Sequence, residues 1–116
     1  MGVSRKRFEE LAARALDGLP AWVLERLDNV DVMIEDDTPA GHPELLGLYH
    51  GIPLTERGAG YSGVLPDRIT LYRRTIEAVA GDDAERLERV ITETVIHEVA
   101  HFFGISDRRL HDLGRD

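Results

Sequence analysis

The strongest constraint on the fold lies near the C-terminus, where residues 82–103 carry the longest helical pattern of the chain. Asp82 is predicted to cap this helix, with Glu85 three residues on as in a capping box, and Gly104 is predicted to end it. The predicted inward face consists of Leu87, Val90, Ile91, Thr94, Val95, Glu98, His101 and Phe102. Because this face is broad, the helix is expected to pack inward along much of its length.

The rest of the chain predicts a small mixed structure. A first helix is expected between Ser4 and Gly18, and a second begins with Pro20 in its first turn. Residues 30–36, 45–50 and 67–73 alternate apolar and polar side chains or carry short apolar runs, which predicts strands. Short helical segments are expected at 75–80 and 106–113. The order predicts an α+β fold, with a mixed sheet of about three to four strands packed on the N-terminal helices and the long helix.

Composition narrows the class of protein. The chain has 116 residues, a 42% hydrophobic and a 31% charged fraction, which suits one soluble domain over residues 1–116. The formal net charge of −8 disfavours nucleic-acid binding. No apolar run is long enough for a membrane span, and the N-terminus does not resemble a secretory signal. Cysteine is absent. A cytoplasmic location is therefore expected.

The long helix also carries the residues that point to chemistry. His97 and His101 are four positions apart, so that both imidazoles leave the helix on one face and can share one metal ion. Glu98 follows the first histidine directly, where its carboxylate can act as a general base on a water that a zinc ion has made more acidic. The pattern predicts a zinc site with Glu98 as the catalytic base.

A third ligand is sought just after the helix. Gly104 tolerates the left-handed conformation, and a sharp turn there is expected to bring the following segment back over the metal. Asp107 is then the predicted third ligand. His111 is the alternative, because imidazole is the commoner zinc ligand and one folded turn brings it within reach.

Other candidate groups carry weaker signals. His42 and His50 are expected to be exposed side chains. Tyr61 and Tyr72 are candidates for donating to an oxyanion, with core packing favoured for Tyr72. The strand at residues 67–73 is considered as an edge beside the cleft that holds an extended peptide by strand addition.

Two segments of the sequence resemble a known family. Residues 66–73 and the run His-Glu-Val-Ala-His-Phe-Phe-Gly-Ile-Ser-Asp at 97–107, followed by Leu110 and Leu113-Gly114, look like the minimal-zincin family of small bacterial proteins. The resemblance is best over about the last fifty residues. It implies a small sheet packed on an active-site helix, zinc held by His97, His101 and Asp107, and Glu98 as base.

The expected function is zinc-dependent hydrolysis of a peptide or protein substrate. Two alternatives remain open at this point. One is a non-catalytic metal-binding or interaction domain. The other is a metal-dependent endoribonuclease, whose histidine and glycine spacing is similar, although Glu98 in place of a glycine and the net charge of −8 weigh against it. The oligomeric state and the natural substrate are not indicated by the sequence.

Overall fold

A computed structural model describes residues 3–27, 29–56, 66–106 and 108–109. The helices are α1 (Arg5–Asp17), α2 (Ala21–Arg26), α3 (Arg73–Ala80) and α4 (Ala84–Phe102), and the strands are β1 (Val30–Glu35), β2 (Gly47–His50) and β3 (Asp67–Tyr72). A 3-10 turn, Leu54–Glu56, follows β2. The α+β prediction is confirmed. No helix in the described ranges is long and apolar enough to cross a membrane.

The three strands form one mixed sheet in the order β1-β3-β2. β1 runs parallel to β3, with Val32 opposite Ile69, and β2 runs antiparallel to β3, with Tyr49 also opposite Ile69. β3 is therefore the central strand, and its backbone is hydrogen-bonded on both sides. The interpretation of residues 67–73 as a free edge for peptide addition is wrong, because no edge of β3 is left to pair.

The core lies where helices α1, α3 and α4 meet the sheet. Apolar side chains from α1, β3, α3 and α4 contribute to it. The most completely buried of them are Phe8, Ile69, Leu71, Ile76, Ile91, Val95 and Phe102. The periodicity of α1 is confirmed by the burial of Phe8, Leu11 and Ala12 on one face. Ser4 caps α1 as predicted, since its side chain accepts a hydrogen bond from the Arg7 backbone N–H.

Several predicted boundaries differ from the observed ones by one or two residues. The cap of α4 is Asp83 and not Asp82, because the Asp83 carboxylate accepts from the backbone N–H groups of Glu85 and Arg86 at 3.0 and 3.2 Å. Pro20 stands at the N-cap of α2 and not inside its first turn. β2 begins at residue 47 and α3 at residue 73. The difference at α4 is expected, because Asp82 and Asp83 are adjacent residues of equal capping ability, and the other differences are within the usual uncertainty of element ends.

β2 is held against the sheet and α4 by two contacts near its middle and end. Tyr49 donates its hydroxyl hydrogen bond to the buried Asp67 carboxylate at 2.6 Å, and its ring meets Phe102 edge-on at 6.1 Å. Gly51 lies so close to the Asp67 carboxylate that a Cβ there would overlap it. These contacts fix the strand beside the C-terminal half of α4.

Candidate metal centre

Helix α4 places the two predicted histidine ligands together. The rings of His97 and His101 are 4.7 Å apart between centroids, with their planes inclined by 74°. Possible ligand atoms of His97, Glu98 and His101 all lie within 4.8 Å of one another. Among the residues that the structure describes, this is the one group of three histidine or acidic side chains close enough to hold a metal ion.

Glu98 is the buried member of the cluster. The residue is 5% exposed, and its Oε1 lies 3.2 Å from Nδ1 of His101. Burial of a carboxylate costs free energy unless hydrogen bonds or opposite charges replace its hydration. A metal ion held by the neighbouring imidazoles would supply such a charge. Two imidazoles are ligands that zinc prefers, and Glu98 lies beside them without being needed as a ligand, so the residues fit the ion.

Strand β2 approaches α4 closely beside Glu98. A Cβ at Gly47 would lie 2.9 Å from Cγ2 of Thr94, 3.1 Å from the Thr70 carbonyl oxygen and 3.2 Å from Cγ of Glu98. Only a residue without a side chain allows the strand to cover this part of the helix without displacing its neighbours. Gly47 was not identified as a site residue from the sequence. A glycine within a strand pattern was the available signal.

The negative charge of Glu98 also affects the pKa of a buried tyrosine, Tyr72. Burial raises the pKa of the Tyr72 phenol first, and the negative charges of Glu35 and Glu98 raise it further. Tyr72 is 4% exposed, which confirms core packing for this residue. Tyr61, the other tyrosine considered, lies outside the described residues. His42 and His50 are exposed, as predicted, and neither joins the cluster.

The C-terminal end of α4 has the glycine-based turn that the sequence predicts. Gly104 has a φ of +87°, and the N–H groups of Gly104 and Ile105 donate to the carbonyls of His101 and Ala100, both at 2.9 Å. These are the two hydrogen bonds of a Schellman motif. The side chain of Thr55 packs directly over Gly104, leaving no room for a Cβ. Asp107 and His111 lie outside the described residues, so the third ligand stays a prediction.

A cleft opens beside the cluster. It has a volume of about 340 Å³ and lies between residues 44–47, Val79 and one face of α4 that includes His97 and Glu98. The two groups of the cluster that face it are one predicted ligand and the predicted base. A substrate group bound in this cleft would therefore lie next to the candidate catalytic residues.

The arrangement defines a class of protein: a small mixed sheet packed on a helix that carries His-Glu-x-x-His. Comparison with known families agrees, since the Zincin-like metallopeptidase family matches residues 27–115. The match covers most of the sequence, and the chain belongs to this family. The resemblance to minimal zincins is thereby confirmed. Membership in this family supports metal binding by the chain. The enzyme class that the family's description indicates is a peptidase.

A solved structure has the same overall fold. It is a conserved hypothetical protein from Thermus thermophilus, with 27% sequence identity and a TM-score of 0.60. The similarity covers 97% of this chain and 100% of the other chain, so the two proteins correspond over nearly their whole lengths. No curated protein matches the sequence significantly.

Proposed function

We propose that the protein is a zinc-dependent peptidase with its reaction centre at His97, Glu98 and His101. One observation carries the proposal: a buried carboxylate lies within reach of two histidine side chains and borders a cleft. A purely structural helix has little reason to bury an acid at such a place, because an apolar residue of similar size would stabilise the core better.

His97 and His101 would hold the ion through their ring nitrogens. Asp107 is proposed as the third protein ligand, with His111 as the alternative. Two imidazoles and one carboxylate suit zinc and leave a position for water or substrate, as catalytic zinc sites do. When bound, the metal supplies a Lewis acid that polarises the substrate carbonyl and makes water acidic enough to attack near neutral pH.

Glu98 would move the proton. Its carboxylate accepts a proton from the attacking water as the new C–O bond forms at the peptide carbonyl. It then donates that proton to the departing amine nitrogen as the C–N bond breaks. One water is consumed, and the products are a carboxylate and an amine. The close packing of Glu98 against Gly47 of β2 would limit the directions in which the carboxylate can act, while its position in the cleft lining lets it reach the attacking water.

The substrate backbone would lie along β2. This strand ends the β1-β3-β2 order and lies directly beside Glu98 at Gly47. An extended peptide can add to such an edge by main-chain hydrogen bonds, which would present a carbonyl to the centre with little dependence on sequence. β2 therefore takes the role that was first considered for the strand at residues 67–73.

Metal analysis and peptide turnover on matched variants test the proposal. The wild type should contain about one zinc per chain and cleave members of a peptide library. Glu98→Gln should retain zinc and lose turnover by at least about 100-fold, while His97→Ala should lose zinc as well. Glu88→Gln makes the same charge change on an exposed part of α4, where Glu88 pairs with Arg14, and should leave both properties unchanged.

Two further comparisons separate the alternatives. Zinc affinity measured for Asp107→Ala and His111→Ala decides which residue is the third ligand. A wild type that holds stoichiometric zinc yet cleaves no peptide would sink the peptidase and support a non-catalytic metal-binding domain. Cleavage of RNA that Glu98→Gln abolishes would instead support the endoribonuclease.

A further inference from the structure

The cleft beside Glu98 has a size and lining that indicate what binds there. Its volume of about 340 Å³ is at the lower end of the range for small-molecule sites. That space suits one long side chain together with part of its backbone. The lining includes the apolar residues Leu45, Leu46, Val79 and Val90. An aliphatic chain entering the cleft would therefore meet apolar groups from the segment before β2, from α3 and from α4.

Apart from His97, which the proposed function assigns to the metal, the titratable residues of the lining are all acidic. They are Glu44, Glu93 and Glu98, and none of the lining residues is lysine or arginine. Glu44 and Glu93 are exposed, whereas Glu98 is buried. The cleft thus combines apolar walls with two solvent-facing carboxylates, beside the buried one.

The two exposed carboxylates are available to a ligand. Within the described part of the chain, neither Glu44 nor Glu93 forms an ion pair or a side-chain hydrogen bond. Other surface acids behave differently, since Asp36 pairs with Arg73 and Glu88 with Arg14. A cation that entered the cleft would be attracted by the negative charges of both residues in its lining and would displace no ion pair of the described residues.

We propose that this cleft is a specificity pocket for a lysine or arginine side chain adjoining the bond that is cleaved. The inference rests on the proposed peptidase function. The methylene stem packs between the apolar walls while the charged head stays near water, as long cationic side chains commonly do. Glu44 and Glu93 then attract the head, and an acidic side chain of similar length is repelled.

The first test is binding, which does not depend on turnover. Backbone amide resonances of Gly47, Glu93 and Thr94 are followed by NMR in the purified, zinc-containing protein. The protein is titrated with N-acetyl-lysine amide, N-acetyl-norleucine amide and N-acetyl-glutamate amide. The lysine ligand should bind about three- to tenfold more tightly than norleucine, with glutamate weakest, since each exposed carboxylate contributes modestly. The preference should shrink as salt is raised.

The second test uses turnover with single-position peptide sets. Peptides that differ only as lysine, arginine, norleucine or glutamate beside the cleaved bond should be ranked with the cationic pair first in kcat/KM. The double variant Glu44→Gln, Glu93→Gln should lose about three- to tenfold of the discrimination between lysine and norleucine. Glu88→Gln, on the same helix but outside the cleft, should retain it.

The outcomes distinguish this inference from the peptidase proposal. Preferential lysine binding that the double variant removes, in a protein without turnover, supports the pocket and contradicts the peptidase. Peptide cleavage without a cationic preference supports the peptidase and overturns the pocket. Equal binding of lysine and norleucine, or a preference that survives in the double variant, also overturns it.

Discussion

The two halves of helix α4 both bury apolar side chains, but only the second half also buries an acid. In the first half, Leu87 and Ile91 are at most 4% exposed and pack into the hydrophobic core. In the second half, Val95 and Phe102 are equally buried, but Glu98 is 5% exposed among them, and His97 and His101 are half-buried beside it. One helix therefore supplies both the centre of the core and the candidate reaction centre.

Burial of an apolar side chain and burial of an acid contribute free energies of opposite sign to folding. Full burial of an aliphatic side chain stabilises a fold by about 1.5–3 kcal/mol. Burial of a carboxylate has the opposite sign unless its interactions replace the lost hydration. The buried apolar residues along the whole of α4 thus stabilise the position of the helix, in which one costly residue, Glu98, can be held rigidly. This arrangement explains how a small domain accommodates a buried acid.

The largest expected effect comes from the first half. Ile91→Ala should lower the free energy of unfolding by about 2–5 kcal/mol, because Ile91 is 0% exposed and its loss leaves a cavity. Ile96→Ala is the matched control, since Ile96 lies on the same helix but is only partly buried. It should cost about 1 kcal/mol or less. Urea denaturation measures both, and equal losses would show that burial in the core does not distinguish the two isoleucines.

A smaller difference between matched variants is expected for two glycines, one of which lies just after the second half of α4. Gly104→Ala introduces a Cβ at a φ of +87° and into the space of Thr55, whereas Gly81→Ala has a φ of +70° with open space around it. Backbone strain alone should cost about 1–3 kcal/mol at either glycine. Gly104→Ala should cost about 1–3 kcal/mol more, through overpacking.

A double-mutant cycle isolates the contact that Thr55 makes with Gly104. Combining Gly104→Ala with Thr55→Gly should recover the excess, because the overlapping side chain is removed. Thermal or urea unfolding of the four proteins measures the coupling. Absence of coupling would show that the 3-10 turn at Leu54–Glu56 does not constrain the end of the site helix.

The smallest expected effect is a change in the pKa of Tyr72, a core residue that the charge of Glu98 influences. Glu98→Gln and Glu35→Gln should each lower the pKa of Tyr72, with Glu35 the larger contributor, because each removes a negative charge that disfavours the phenolate. Spectrophotometric titration, with Tyr72→Phe to identify the signal, measures this. A pKa that Glu98→Gln leaves unchanged would show that the charge at the site is not felt in the core.

The raised pKa of Tyr72 should also make the stability of the fold decrease at alkaline pH. The folded state keeps the Tyr72 proton at pH values where the unfolded state has begun to lose it. This contribution is fully present below the ordinary tyrosine pKa of about 10 and is lost as the pH rises through the folded value. Tyr72→Phe should therefore weaken the fall in stability on the alkaline side.

The helices, the strands and the central motif of the site could be predicted from the amino-acid sequence. The face of α4 and the proximity of His97 and His101 follow from helical periodicity, because residues four apart are always neighbours on a helix. The role of Gly104 was equally local, since a left-handed residue at a helix end favours glycine. Predictions of this kind need only the interactions of a residue with its near neighbours in the chain.

The arrangement of the strands and of the cleft emerged from the folded domain and not from any local pattern. The central place of β3, the close approach of Gly47 to Glu98 and the presence of Glu44 and Glu93 in one cleft involve residues that are far apart in the chain. No periodicity specifies which strand pairs with which, because many pairings bury the same apolar faces. The positions of the site's neighbours therefore depend on packing of the whole domain, while the His-Glu-x-x-His pattern depends on one helix alone.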